Sequence, residues 1–168
     1  MRHYENNAWI AAPVEEVFDF IDDPKRLAGH MTSSTWMMGG GRMAVELDAG
    51  EGRTVGSHIA MSGAVCGLTL ALDEVITHRA PPTYKAWSTV GEPRLIVLGA
   101  YGMGVEITRA EQGSHVRMFI DYALPRGSLS AVLGRLLGPF YARWCVGQML
   151  AEAVRAFSSG HIPNAAIK

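Results

Sequence analysis

One carboxylate and two tyrosines fall where the sequence predicts apolar walls, and they are the candidate catalytic residues. Glu74 stands at alternate positions with Leu70 and Leu72 in "LTLALDEVITH", so the three share one face of a strand. Tyr101 lies on the bulkier face of "RLIVLGAYGMGVEITRA", and Tyr141 lies on the apolar stripe of a C-terminal helical segment. A buried carboxylate without a partner has a raised pKa and can transfer protons. A solvated Glu74 near a strand end is the competing interpretation.

A second pair of ionisable residues lies on the last predicted strand, "HVRMFIDYALP". Arg117 and Asp121 share one face of it, and the bulkier apolar residues share the other. With the apolar face inward, the pair is solvated and contributes little to stability. With the opposite register, both charges would be buried in the interior.

Other kinds of chemistry lack a sequence signal. The six histidines show no HxxxH or HxH spacing, so we predict neither a metal site nor a cofactor. There is no GxSxG motif, and the glycines of "GAYGMG" come without the lysine of a phosphate-binding loop. Cys66 and Cys145 are far apart, and we expect two buried, reduced thiols.

Composition limits the class of protein. The chain has 168 residues, of which 48% are hydrophobic and 18% charged, and its formal net charge is -1. We expect a single domain over residues 1–160, a flexible tail over 161–168 and no charge-driven binding of nucleic acid. The longest uncharged apolar run, 95–105, is too short to span a bilayer, and the N-terminus lacks an apolar signal segment. We therefore expect a cytoplasmic protein without integral membrane association.

Two short helices are predicted after the first strand. Val14, Val17, Phe18 and Ile21 form one apolar stripe behind Pro13, which suits the first turn of a helix. A second helix is expected from Pro24, with Asp23 as its cap and Leu27 inward. Helices this short need a sheet to pack against.

Strands and one long helix account for the rest of the chain. About six strands joined by short turns predict an antiparallel meander, with a glycine-rich bend at 39–41 and one long strand running from Arg94 to Ala110. From Ser128 the apolar residues recur at helical spacing for about eight turns. Gly138 and Pro139 should kink or briefly break that helix.

This order of elements, with "IAAPVEEVFDFIDDPKRLAGHM" near the start and "GRLLGPFYARWCVGQMLAEAVRAF" at the end, resembles the START/Bet v 1-like (SRPBCC) superfamily. The closest likeness is to its bacterial polyketide cyclase/dehydrase-like members. The segments "ITHRAPPTYKAWST" and "GSHVRMFIDYAL" are similar to the strand, Pro-Pro, strand passage and to the final strand of that family. The resemblance extends over nearly the whole chain.

The resemblance implies an α+β helix-grip fold. In that fold a curved seven-stranded antiparallel sheet wraps a long C-terminal helix, the two short helices close one end, and an elongated apolar cavity lies between sheet and helix. Apolar periodicity alone is equally compatible with a solid core. The candidate ligand-binding residues are Met38, Met61, Leu70, Leu72, Trp87, Tyr101, Met103, Met118, Tyr122, Leu137, Tyr141 and Trp144.

Three functions fit these observations. The first is binding of a hydrophobic small molecule of lipid, polyketide or aromatic type in the cavity. The second is a metal-free cyclase or dehydratase that uses the cavity tyrosines and Glu74 as acid–base groups. The third is an interaction protein, such as a homodimer, that uses an outward face of Ile96, Leu98 and Ala100 or the apolar bend at 36–38.

Overall fold

The structure is a computed structural model that describes residues 1–27, 42–65 and 68–158. The predicted bend at 39–41, Met38 and the predicted tail at 161–168 lie outside these residues. In chain order the described elements are β1 (Arg2–Ile10), α1 (Val14–Ile21), α2 (Pro24–Leu27), β2 (Arg42–Leu47), β3 (His58–Val65), β4 (Leu68–Ala80), β5 (Tyr84–Arg94), β6 (Tyr101–Ala110), β7 (Gly113–Tyr122) and α3 (Ser128–Ser158).

Within the described residues, seven strands form one curved antiparallel sheet in the order β1-β7-β6-β5-β4-β3-β2. Strands β2 to β7 follow one another as a meander, because each pairs with its neighbour in sequence. The first strand pairs instead with the last, with Arg2 opposite Tyr122 and Ile10 opposite Ser114. The predicted α+β helix-grip fold is confirmed.

The helix α1 packs through the apolar stripe that the sequence predicts. Val14, Val17, Phe18 and Ile21 are all buried, and Pro13 directly precedes the helix. A carboxylate oxygen of Asp23 accepts a hydrogen bond of 3.0 Å from the backbone N–H of Lys25, and α2 begins there. The two helices therefore lie against the interior of the sheet, as predicted.

The register of β7 also agrees with the prediction. Met118 and Tyr122 are buried on the inward face. On the outward face, Arg117 forms ion pairs with Glu106 at 2.9 Å and with Glu5 at 2.5 Å. These pairs are more than two-fifths exposed, so they contribute little to stability. The alternative with buried charges at Arg117 is excluded.

The long strand predicted from Arg94 to Ala110 is wrong in its first part. Residues 95–100 form a loop. Strand β5 pairs with β4 as far as Arg94, but its pairing with β6 stops at Ser88 and Gly102, so the chain between Arg94 and Tyr101 has no strand partner there. The assignment of Ile96 and Leu98 to an outer face is also wrong. Leu98 is only 2% exposed, and both residues line the interior. An outer apolar patch at these residues is thereby excluded as a dimer surface.

The helix α3 runs without a break from Ser128 to Ser158 through Pro139, so the predicted interruption is not present. Glycines let the N-terminal half of α3 approach the 95–100 loop closely. A Cβ atom at Gly134 would lie 3.0 Å from the carbonyl oxygen of Val97, and one at Gly138 would lie 3.1 Å from it. This contact holds the loop against the helix at one end of the interior.

Candidate functional site

A cavity of about 380 Å³ lies between the sheet and α3. The volume is in the usual range for small-molecule sites. Its wall is almost entirely apolar, and it is built from α1, α2, strands β3 to β7, the 95–100 loop and α3. The predicted gap between sheet and helix is confirmed, and the alternative of a solid core is excluded.

The main polar feature of the cavity wall is a hydrogen-bonded pair, Glu74 and Tyr101. Glu74 is on β4, and only 4% of it is exposed. Tyr101, at the start of β6, donates a hydrogen bond of 2.5 Å from its hydroxyl to Oε1 of Glu74. Glu74 lies opposite Thr89 on β5, and the Thr89 hydroxyl is hydrogen-bonded to the backbone of Tyr101, so the Tyr101 side chain reaches Glu74 across β5.

The environment of Glu74 shifts its ionisation. Burial raises the pKa of Glu74 to about 7, although hydrogen bonds from Tyr101 and Trp87 act in the opposite direction. Burial and the charge of Glu74 likewise raise the pKa of Tyr101 well above its ordinary value. Near neutral pH the carboxyl group is therefore present in both protonation states, which suits a general acid or base.

Tyr141 brings a second hydroxyl group to the cavity from α3. Burial, together with nearby Cys145 and Glu74, raises its pKa. Its ring packs against that of Trp144, with 5.6 Å between the centroids. Among the described residues, the Tyr141 hydroxyl has no hydrogen-bond partner. The hydroxyl is therefore available to a bound molecule.

A buried charge cluster lies where α1 ends. Lys85 donates from Nζ to the backbone carbonyl and to Oδ1 of Asp22, both at 2.8 Å. Arg79 donates to both carboxylate oxygens of Asp22, at 3.1 and 2.8 Å. Burial would raise the pKa of Asp22, but the two cations outweigh it and hold that pKa below its ordinary value. Burial lowers the pKa of Lys85, and Asp22 opposes that shift. The cluster fastens α1 to β4 and β5.

Most of the residues predicted to bind a ligand lie in the cavity wall. The structure brings together Met61, Leu70, Leu72, Glu74, Trp87, Tyr101, Met103, Leu137 and Tyr141. Met118, Tyr122 and Trp144 are not part of the wall. Met118 and Tyr122 are buried on β7. The ring of Trp144 packs against that of Tyr141. Met38 is outside the described residues.

Several wall residues are not among the candidate ligand-binding residues proposed from the sequence, although the apolar pattern places some of them, such as Ile59, Ile120 and Met149, on inward faces. They are Ile21, Pro24, Leu27, Ile59, Ile76, Lys85, Leu95, Ile96, Val97, Leu98, Ile120, Phe140, Cys145 and Met149. For Lys85 a signal exists, because it alternates with Trp87 on β5 and so shares its face. In residues 95–100 the apolar residues alternate as they do in a strand, so the sequence gives no sign that this segment is a loop that turns toward the interior.

Two kinds of site can be assessed over the described part of the chain. No group of three or more histidine, cysteine or acidic side chains there is arranged to hold a metal ion. None of the helices described has a stretch both apolar and long enough to cross a bilayer.

Solved structures of other proteins share this architecture at low sequence identity. Protein CV1439 from Chromobacterium violaceum is 15% identical, with 95% of this chain and 100% of that chain covered and a TM-score of 0.64. Norcoclaurine synthase from Thalictrum flavum is 11% identical, with 95% and 88% covered and a TM-score of 0.67. Ara h 8.0201 is 13% identical, with 89% and 98% covered and a TM-score of 0.55. No protein-family model and no curated protein sequence matches the chain.

These similarities define the class of protein through its fold. The chain has the Bet v 1-like helix-grip fold that the resemblance implied. At 11–15% identity the similarity concerns the fold, and the chemistry of the site has to be argued from its own residues.

Proposed function

We propose that this protein binds a hydrophobic small molecule in the cavity between the sheet and α3. The observation that carries the proposal is the cavity itself: about 380 Å³ of space with an almost wholly apolar wall and a few polar groups on one side. Burial of apolar ligand surface would supply the affinity, at about 25 cal/mol per Å² before the costs of association. A polyketide, a lipid or an aromatic compound would each meet this requirement.

The similar structures support an aromatic ligand in particular. One structure of norcoclaurine synthase from Thalictrum flavum contains dopamine and hydroxybenzaldehyde. Both compounds contain an aromatic ring, and the apolar cavity wall described above would accept such a ring.

A titration with the neutral fluorophore N-phenyl-1-naphthylamine tests the proposal, because its emission rises in apolar surroundings. The substitution Leu72→Trp adds bulk inside the cavity, and Leu136→Trp makes the same change at an α3 position that is 71% exposed and outside the wall. We expect saturable binding that is lost in Leu72→Trp and retained in Leu136→Trp. Equal binding by both variants, or no binding by the wild type, would refute the proposal.

A second pair of variants keeps the proposal testable if Leu72→Trp fails to fold. Leu137 lines the cavity and is 48% exposed, so Leu137→Glu should fold normally while placing a charge at the cavity mouth. We expect it to weaken binding of the fluorophore at least fivefold. The neighbouring Leu136→Glu is the control and should bind as the wild type does.

The pair Glu74 and Tyr101 favours a second function, acid–base catalysis on the bound molecule. A carboxyl group with a pKa of about 7 next to a tyrosine hydroxyl suits proton abstraction beside a ketone, as a cyclase or dehydratase requires. The carboxylate of Glu74 would take the proton from the α-carbon. The hydroxyl of Tyr101 would turn from Glu74 and donate a hydrogen bond to the developing enolate oxygen.

Proton exchange in D₂O tests this function without knowledge of the natural substrate. With 2-tetralone as the probe, NMR would follow replacement of its α-protons by deuterium. Catalysis predicts exchange above the buffer rate that is lost in Glu74→Gln and reduced in Tyr101→Phe. Exchange at the buffer rate despite measured binding of 2-tetralone would leave binding as the function.

A further inference from the structure

The hydrogen bonds at the polar side of the cavity leave one donor and one acceptor open. The hydroxyl proton of Tyr101 is used on Oε1 of Glu74, and Trp87 also donates to this carboxyl group. A carboxylate has about four acceptor sites, so Glu74 can accept from a further donor. The hydroxyl of Tyr141, on the facing helix, makes no hydrogen bond within the described residues. A bound molecule therefore meets a free acceptor on the sheet side and a free hydroxyl on the helix side.

The charges around the cavity disfavour an anionic ligand. Of the cationic side chains described near the wall, Lys85 donates twice to Asp22 and Arg79 donates to both carboxylate oxygens of Asp22. Glu74 has no ion-pair partner among the described residues. A ligand carboxylate beside an ionised Glu74 would thus meet a like charge in an apolar space, while Lys85, the cation of the wall, is held by Asp22, and this arrangement is costly.

A hydroxyl group matches the two open positions better than other neutral or cationic groups. It carries one proton, which Glu74 can accept, and lone pairs, to which Tyr141 can donate. A ketone has no proton for Glu74. A primary ammonium brings three protons, leaves the Tyr141 proton unpaired and has to be desolvated as a charge.

We infer that the preferred ligand is an apolar molecule with a hydroxyl group, an alcohol or a phenol, held between Glu74 on β4 and Tyr141 on α3. This inference rests on the proposed binding function and adds the chemical class of the ligand. The two residues would then act as specificity determinants within an otherwise apolar site.

Four compounds with one carbon skeleton test the inference: 2-methylnaphthalene, 2-naphthalenemethanol, 2-naphthylmethylamine and 2-naphthoate. Their dissociation constants are measured by displacement of N-phenyl-1-naphthylamine or, if that fluorophore does not bind, by calorimetry. We expect the alcohol to bind about tenfold more tightly than the hydrocarbon, the order expected for one or two net hydrogen bonds. The carboxylate should bind most weakly.

Variants show whether the preference comes from the two named residues. Tyr141→Phe and Glu74→Gln should each reduce the ratio of the hydrocarbon and alcohol dissociation constants toward one. Tyr122→Phe removes a hydroxyl from a buried tyrosine outside the cavity wall and should keep the wild-type ratio. A merely structural role of Tyr141 would weaken both compounds alike and leave the ratio unchanged, which would overturn the inference.

The outcomes separate this inference from the function on which it rests. If none of the four compounds binds, the proposed binding function fails with it. If the hydrocarbon and the alcohol bind equally well, the binding function stands and the inference is refuted. If the ammonium compound binds more tightly than the alcohol, the inference is also refuted, and Glu74 is then a counter-ion for an amine.

Discussion

Replacing Glu74 with glutamine should change how the stability of the protein depends on pH. The pKa of this carboxyl group is 4.5 in its ordinary state and about 7 when buried in the folded protein. Between these values the folded state holds a proton that the unfolded state has lost. The contribution of Glu74 to stability is therefore fully present below pH 4.5 and is lost as the pH rises through 7.

The size of the effect follows from the shift. One pKa unit is worth about 1.4 kcal/mol, so a shift from 4.5 to about 7 corresponds to about 3 kcal/mol. Glu74→Gln keeps the shape and an oxygen that can accept from Tyr101, and it cannot ionise. Relative to the wild type, the variant should gain about 3 kcal/mol in free energy of unfolding between pH 4.5 and pH 8.5.

Urea denaturation at several pH values measures this difference. Other titrating groups, such as Asp22, are present in both proteins and cancel when the two are subtracted. The control, Glu46→Gln, makes the same chemical change at an exposed position on β2 and should show a much smaller gain. A difference between Glu74→Gln and wild type that stays constant over this range would show that Glu74 is not a buried, proton-binding carboxyl group.

Three further predictions concern packing and charge. Gly134→Ala should destabilise the protein by about 1–3 kcal/mol and weaken fluorophore binding, because its Cβ would lie 2.5 Å from Cδ of Pro125 and 3.0 Å from the carbonyl oxygen of Val97 in the 95–100 loop. Gly147→Ala on the same helix meets open space and should be neutral or slightly stabilising in thermal unfolding. Asp22→Asn should cost about 3–5 kcal/mol, since it leaves buried Lys85 without its anion, whereas the exposed Asp19→Asn should have little effect on the urea midpoint. Arg117→Ala should change that midpoint little, and any loss should shrink in high salt.

Much of the fold could be predicted because local patterns and tertiary packing agree in most of this chain. The stripe of Val14, Val17 and Phe18 has a single apolar side, and that side is the one buried. The alternation in β7 likewise has one bulkier apolar face, which favours the register that the structure has. The alternation in β4 puts Glu74 on the face of Leu70 and Leu72, but it does not decide between a buried and a solvated carboxylate, and the structure buries it.

The rest of the site depends on contacts between distant residues, which a sequence pattern does not report. The 95–100 segment alternates like a strand, and it turns inward because Gly134 and Gly138 let it pack on α3. The partner of Lys85 is Asp22, at the far end of α1. Likewise, nothing in the spacing of Tyr101 and Glu74 indicates that both lie next to Thr89 of β5, which brings the two side chains together.

The pairing of β1 with β7 has a consequence for how the chain is made. Ser114, at the edge of β7, donates from Oγ to the backbone carbonyl of Ala12 across 102 residues of chain. The hairpins from β2 to β7 can assemble from neighbouring segments, but the N-terminal strand has to wait until its distant partner has left the ribosome, a delay of roughly ten seconds at ordinary rates of translation. During that interval β1 has been made but has no strand to pair with, so its unpaired backbone groups are open to strands of other chains, a risk of aggregation that ends when β7 emerges.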